Sequence, residues 1–207
     1  MITRQPFWAS ADNNHAARSL PPFAEQPLVL RIFDIAAKAG GEARIVGGAV
    51  RDWLAGMSVG DIDMAVNMPI ESFASDLEKA GLKVVHTGLS HGTVTVIEGK
   101  TSIEVTHTRL DTKTDGRHAI VTHSPDWLED ARRRDFTINT IYMDAAGALF
   151  DPLDGQADLQ QGCLRFVGDA DRRVREDALR MLRYCRFLHR FGHGNIDADA
   201  LAALRCN

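Results

Sequence analysis

Asp61 and Asp63 stand two residues apart in GDIDMAV, ten residues after the arginine of a glycine turn, GGAVRD, at Gly47 to Asp52. In an extended strand, positions i and i+2 project to the same face about 6.6 Å apart, so both carboxylates reach into one pocket and can share one or two divalent cations. Leaving such charge unshared is costly. Glu104 lies on a neighbouring strand pattern and points away from the apolar face of Ile103 and Val105, which makes it a third carboxylate for the same pocket. Magnesium is held through one or two carboxylates plus substrate phosphates. A third acid nearby suits a two-metal displacement, one ion on the attacking oxygen and one on the leaving phosphate. A bare D-x-D also flanks many ordinary turns, so its context has to decide.

Part of that context is Gly47, Gly48 and Arg51. Glycines after a strand let backbone N–H groups approach an anion, and the following helix N-terminus adds a favourable dipole. No G-K-[ST] follows and the pattern is not G-x-G-x-x-G. The plainer alternative is a tight strand-to-helix turn with Arg51 paired to Asp52 or Asp61; the D-x-D ten residues on favours the anion site. A third group lies in EDALRMLRYCR, where Asp177, Arg180, Arg183 and Arg186 are spaced three apart and Arg190 follows four later, roughly along one helix face. An ionised Asp only accepts hydrogen bonds and Arg only donates them. Side by side they form a template for a base edge with an amino donor next to a ring-nitrogen acceptor, the edge of cytosine and adenine. Sites of this kind can reject the inverse edge by about 10⁴. The alternative is an internal i,i+3 salt bridge worth a few tenths of a kcal/mol.

Apolar periodicity supplies the elements that must position these groups. Leu28, Ile32, Ile35, Ala36 and Ala39 predict a helix closed by Gly40-Gly41. A strand Ala43 to Val46 enters the glycine turn, followed by a short helix Val50 to Leu54 and a strand Asp61 to Val66. Asn67 and Pro69 start a helix running to Ala80, with Phe73, Leu77 and Ala80 inward. Lys83 to His86 is a short strand, and Thr93 to Ile97 with Ser102 to His107 form a hairpin. The polar stretch Leu110 to His123 reads as a mobile loop. Ser124-Pro125 caps a short helix through Arg133, and Ile141 to Met143 with Ala148 to Phe150 make a second hairpin. Asp171 to Phe191 reads as one long helix with Val174, Ala178, Leu182 and Cys185 on one side. Strands and helices interleave to about residue 155 and only helices follow, which predicts an α/β head leading into an all-helical segment.

The 207 residues suffice for a real core, and a hydrophobic fraction of 44% with 25% charged is ordinary for a soluble protein. No apolar run approaches the roughly 18 residues of a membrane span. The N-terminal stretch lacks a signal-peptide core, so the expectation is a cytoplasmic protein with a loose arm through Pro21-Pro22. Cys163, Cys185 and Cys206 form no C-x-x-C, which argues against disulfides and a zinc knuckle. Net charge is −4, yet residues 132 to 190 hold eleven of nineteen arginines against nine acids, so a local cationic track is compatible with the average. His107, His118 and His123 match no usual ligand set and are expected to be solvated or supporting. Trp53 and Trp127 are expected in the core.

Taken in order, these groups resemble the class II tRNA nucleotidyltransferase and bacterial poly(A) polymerase family, from about Arg44 to Phe191. The motifs that carry the resemblance are RIVGGAVRD, GDIDMA, HGTVTV followed by IEVTHTR, TDGRHA, ARRRDFTINTIYMD, DPLDG and REDALRMLRYCRF. It implies a polymerase-beta-like nucleotidyltransferase head, a mixed sheet with flanking helices, over residues 23–158. A flexible arm (1–22) precedes it and the start of an all-helical neck (159–207) follows, without the family's body and tail; the chain is then a fragment or an unusually short member. By the same resemblance Asp61 and Asp63 hold Mg²⁺ and Glu104 is the third catalytic carboxylate. Gly48, Arg51 and Arg134 contact the nucleotide, Asp135 and Asn139 line the same site, Asp177 and Arg180 read the base, and Arg183 and Arg186 support it. The resemblance also implies that Gly116-Arg117-His118 moves during catalysis. The implied function is template-independent addition of C and A to tRNA 3′ ends from CTP and ATP. Alternatives are a poly(A) polymerase, disfavoured by Ala49 where those relatives usually carry glycine, a partial enzyme adding only CC or A, and an inactive RNA- or nucleotide-binding module, which has no use for clustered acids facing phosphates.

Overall fold

The computed structural model describes residues 20–88, 92–112 and 120–207. Most of the expected arm, together with Gly116, Arg117 and His118, lies outside them. From Leu20 onward the chain is packed: Pro21 is buried, its carbonyl accepts from the Ala24 amide at 2.8 Å, and Phe23 meets Trp53 edge-on at 6.1 Å. The Pro21-Pro22 pair is therefore an anchored turn and not part of a loose segment.

Helix α1 (Pro27–Lys38) opens on a proline whose fixed φ suits the first turn, and buries Leu28, Val29, Ile32, Phe33, Ile35 and Ala36. Then come β1 (Ala43–Val46), α2 (Gly48–Leu54), β2 (Asp63–Val66), α3 (Ile70–Lys79), β3 (Lys83–Gly88), β4 (Thr93–Glu98) and β5 (Thr101–His107). In α3, Phe73, Ala74 and Leu77 face inward, while Ala80 is exposed just past the helix end. The span expected as a loop contains two strands, β6 (Arg109–Thr112) and β7 (Ile120–His123), paired antiparallel. Its polar composition hid them, because strand pairing satisfies backbone groups whatever the side chains. Helix α4 (Trp127–Arg132) is capped by Asp126, which accepts from the Leu128 amide at 2.8 Å, and not by Ser124. A 3₁₀ turn (Thr137–Asn139), β8 (Tyr142–Met143), β9 (Leu149–Phe150), α5 (Gly155–Gln161), β10 (Cys163–Leu164), α6 (Ala170–Glu176), α7 (Leu179–Phe191), β11 (Asn195–Ile196) and α8 (Ala198–Cys206) complete the chain. None of the described helices is long and apolar enough to cross a membrane.

Seven strands form one mixed sheet in the order β3-β4-β5-β2-β1-β8-β9, with β2 and β5 parallel. One face carries Ile45, Met64, Val66, Val94, Val96, Ile103 and Val105 into a core shared with α1 and α3. The other face is covered near β1 and β8, where Val46, Ala65, Trp127, Ala131 and Tyr142 cluster. Beyond that cover it is polar and open, with Asp63 and Glu104 exposed.

Two expectations for the C-terminal part are corrected. Asp177 is extended (φ −157°, ψ 106°) and divides the single helix expected over Asp171 to Phe191 into α6 and α7. The reason is local: its carboxylate accepts from the Leu179 amide at 2.9 Å, a side-chain alternative to the helical ladder. The break resets the buried face, so Tyr184, Phe187 and Phe191 point inward, whereas Ala178 and Cys185 are exposed and Leu182 is 69% exposed. Second, the segment after residue 155 is not purely helical, since β10 and β11 pair in parallel.

Candidate active site

The acids gather at the end of β2. Asp63 lies opposite Glu104 in the parallel β2–β5 ladder and opposite Val46, the residue before the glycine turn, in the antiparallel β1–β2 ladder. Adjacent strands run about 4.8 Å apart, so the two side chains project side by side from the open face. Asp61 precedes the strand and is exposed. The Asp63 carboxyl is held above the ordinary carboxylate value, first because it is desolvated, then because Glu104 and Asp61 crowd it with negative charge; Arg134 pulls the other way. Although Asp63 is exposed by area, its local surroundings therefore suffice to disfavour the anion. Among the described residues no ion pair is formed by Asp61, Asp63 or Glu104, and no three His, Cys, Asp or Glu side chains converge into a ready-made metal cage. Two adjacent hard-oxygen donors that form no ion pair among the described residues nevertheless fit a divalent ion that takes its remaining ligands from water and phosphates.

The glycine turn borders these acids. Gly47 has φ 72°, a left-handed backbone that a side chain would strain, and the amides of α2 begin at Gly48. Arg134 reaches the same turn: a Cβ added at Gly47 would lie 3.8 Å from its Nη1. Its Nε and Nη2 donate to Asp130 Oδ2 at 3.2 and 2.9 Å, and Nε also donates to the Tyr142 hydroxyl at 3.1 Å. Desolvation opposes its charge, but Asp130 and Tyr142 outweigh that and raise its pKa.

Arg51 is buried and fully engaged. It donates to Asp52 at 2.8 Å and to Asn139 Oδ1 at 2.6 Å, and its guanidinium carbon lies 4.9 and 4.6 Å from the Phe187 and Phe191 ring centres. Burial lowers its pKa against the pull of Asp52. Asn139 in turn donates to Asp135 Oδ1 at 2.9 Å, and Asp135 Oδ2 is 2.6 Å from Arg183 of α7. That last contact is an ion pair whose angles fall outside hydrogen-bond geometry, so Oδ2 counts as unbonded. Arg51, Asn139, Asp135 and Arg183 thus form a relay from the glycine turn to α7. The 3₁₀ turn carrying Asn139 is fixed from below, where Thr137 donates to Asp158 at 2.6 Å and Gly155 packs so closely that a Cβ would lie 2.3 Å from the Thr137 carbonyl oxygen.

The predicted base template is not assembled in this structure. Asp177 caps α7, and Arg180 donates to Glu176 at 2.8 Å and to the Arg173 carbonyl at 3.0 Å. Burial opposes ionisation of Glu176, yet Arg180, Arg173 and Arg172 together lower its pKa to about 2. Arg186 rests on Phe187 at 5.1 Å, and Arg190 donates to Asp52 at 2.9 Å.

A family model described as the poly A polymerase head domain matches residues 43–165. The chain belongs to this family. The match ends just after β10, and α6 and α7 with their arginines follow it in sequence. Mitochondrial CCA tRNA nucleotidyltransferase 1 of Mus musculus is 42% identical over 177 residues, covering 84% of this chain and 41% of its own length. A crystal structure of the Bacillus stearothermophilus CCA-adding enzyme in complex with CTP superposes with a TM-score of 0.77 at 36% identity, covering 89% of this chain and 43% of that one. A tRNA nucleotidyltransferase complexed with a primer tRNA and an incoming ATP analog gives a TM-score of 0.69 at 29% identity, over 84% and 49% respectively. The chain spans about two-fifths of the length of the curated relatives it matches.

Several residues around this site were not singled out from sequence. Asp130 and Tyr142 grip Arg134, and Glu176 occupies Arg180. The i,i+3 and i,i+4 spacing of Asp130 to Arg133 and Arg134 was a legible signal, whereas Tyr142 lies on another element and left none. His107 and His123, expected to be solvated or supporting, have ring centres 5.7 Å apart, and both His107 nitrogens and His123 Nε2 are buried without a hydrogen-bond partner among the described residues.

Proposed function

We propose that this chain carries the nucleotide-adding head and the start of the helical neck of an enzyme that adds C and A to tRNA 3′ ends from CTP and ATP. The observation that carries the reading is the pairing of Asp63 with Glu104 on adjacent strands next to the Gly47–Gly48 turn. Asp61 and Asp63 would hold magnesium, with Glu104 beside them. The ion, when bound, would neutralise the triphosphate and favour ionisation of the 3′-hydroxyl. The chain's own groups bind and orient: the α2 amides from Gly48 onward and Arg134 Nη1 face the phosphates, and the relay through Arg51, Asn139, Asp135 and Arg183 fixes α7 against the head. The tRNA 3′-oxygen forms the new bond to the α-phosphorus as the bond to pyrophosphate breaks. Reading of the base by Asp177 and Arg180, supported by Arg183 and Arg186, requires Arg180 to leave Glu176.

The relatives named CCA tRNA nucleotidyltransferase and CCA-adding enzyme support this reading over polyadenylation. Incubating the chain with magnesium, labelled CTP or ATP, and tRNA ending before, within or after CCA tests it. The expected products stop at CCA; long A tracts would indicate a poly(A) polymerase, and no extension would remove the reading. Fractionation of cells expressing the chain tests the cytoplasmic setting that goes with it.

A further inference from the structure

Asp130 has no exposed surface, yet it carries two guanidiniums and a phenol. Oδ1 accepts from Arg133 Nε at 2.8 Å, and Oδ2 accepts from Arg134 Nη2 at 2.9 Å and from the Tyr142 hydroxyl at 2.8 Å. An ionised carboxylate cannot donate, so the Tyr142 proton must point at Asp130, and a lone pair of its oxygen then takes the Arg134 Nε–H at 3.1 Å. The direction of every bond in the triangle is therefore determined. Tyr142 cannot swing away, because its ring is buried between Trp127 at 5.5 Å and Phe150 at 5.9 Å. The grip falls on the Nε and Nη2 edge of Arg134. It leaves Nη1 on the side of the Gly47 turn, close enough to Asp63 to be felt there.

We propose that Asp130, with Tyr142, is a positioning residue for nucleotide binding: it clamps one edge of Arg134 so that Nη1 is presented to phosphates at the Gly47–Gly48 turn. This role rests on the nucleotidyltransferase reading above. Arg133 alone would satisfy Asp130 as an anchor for the end of α4. The second guanidinium and the buried phenol add nothing to that anchor and fix the orientation of Arg134.

The test is a binding cycle. Dissociation constants for CTP with magnesium are measured on the full chain, on Tyr142→Phe, Asp130→Asn and Arg134→Ala, and on both double variants with Arg134→Ala. Tyr142→Phe keeps the ring and removes one hydrogen bond, so binding should weaken about 3- to 10-fold; Asp130→Asn, losing a charged partner, should weaken it about tenfold or more. The KM for CTP should rise in step, with kcat for tRNA extension changed less than about threefold. Each double variant should bind no more weakly than Arg134→Ala alone, the signature of action through Arg134. Wild-type affinity in both single variants, or losses that add in the doubles, overturns the proposal. Should Asp130→Asn fail to fold, the cycle with Tyr142→Phe decides by itself. A chain that binds CTP with the coupled cycle but extends no tRNA fails as a nucleotidyltransferase and keeps the clamp. Normal extension with a flat cycle does the reverse, and no CTP binding at all overturns both.

Discussion

At the scale of single residues, the pKa of Asp63 is a direct report on the site. Desolvation and the neighbouring Glu104 raise it above the unfolded value, so protonated Asp63 contributes stability that is lost as pH climbs through the folded value. At neutral pH the metal-free fold is therefore carrying an unfavourable charge. Asp63→Asn should raise the melting temperature of the metal-free chain by ~1–3 °C at pH 7.5, with the difference closing towards pH 4. The same variant should lose most of the stabilisation that magnesium gives the parent by binding the folded state, and Asp61→Ala or Asp63→Ala should reduce nucleotide incorporation by at least about a hundredfold. Thermal melts with and without magnesium, together with the extension assay, check all three outcomes. An undiminished magnesium response in Asp63→Asn would place the cation elsewhere. The D-x-D pair and the glycine turn were legible in the sequence because strand period and turn chemistry are local. The position of Glu104 opposite Asp63 was only half legible, since alternation fixes the face of a strand and not its partner.

At the scale of elements, the α6–α7 junction gives Asp177 two separable duties. As a cap, Asp177→Ala should cost about 1 kcal/mol, while Asp177→Asn, which still accepts from the Leu179 amide, should cost little. As an acceptor for a base, both substitutions should blur the preference for CTP and ATP over UTP and GTP. Urea melts paired with competition assays separate the two; selectivity unchanged in both variants would leave Asp177 a cap only. Apolar periodicity missed this junction because Val174, Ala178, Leu182 and Cys185 keep helical spacing across it, and only the competing hydrogen bond of one aspartate breaks the ladder. The strand β5 and the hairpin β6–β7 show a different limit, since nothing in their composition announced that His107 would be buried against a half-buried His123. Burial first, then His123 and the nearby Arg109 and Arg133, lower the His107 pKa against the pull of Glu71. A histidine held neutral in the fold contributes stability that is present above its unfolded pKa of about 6.5 and fades as pH falls below it. The urea midpoint should accordingly drop between pH 7.5 and pH 5, and the part of that drop due to this ring should vanish in His107→Phe. An identical pH slope in parent and variant would show that the ring titrates alike in the folded and the unfolded chain.

At the scale of the whole molecule, the sheet and the C-terminal helices share one hydrophobic cluster running from Phe23 to Ala203. Phe136, just after the arginine motif, lies 5.0 Å from Phe166, 6.0 Å from Tyr184 and 5.5 Å from Phe187, so the base of the head and the inner face of α7 are one aromatic assembly. Two ion pairs, Asp52 with Arg190 and Asp135 with Arg183, flank it. The side chains of both Arg190 and Arg183 are exposed, which makes the two pairs weak in solution and leaves the aromatic contact as the principal restraint on α7. Phe187→Ala should then cost about 3–5 kcal/mol. Because the cluster is shared, the loss should appear equally in tryptophan fluorescence, which in a Trp8→Phe background reports on Trp53 and Trp127, and in helical circular dichroism, with coincident transitions. Arg51 rests on the same Phe187 ring, so the variant should also weaken CTP binding through the glycine turn. A helical signal that melts ahead of the fluorescence would mean that α7 folds apart from the head, and that the relay through Arg51 and Asn139 does not hold the arginines of α7 beside the acids on β2 and β5.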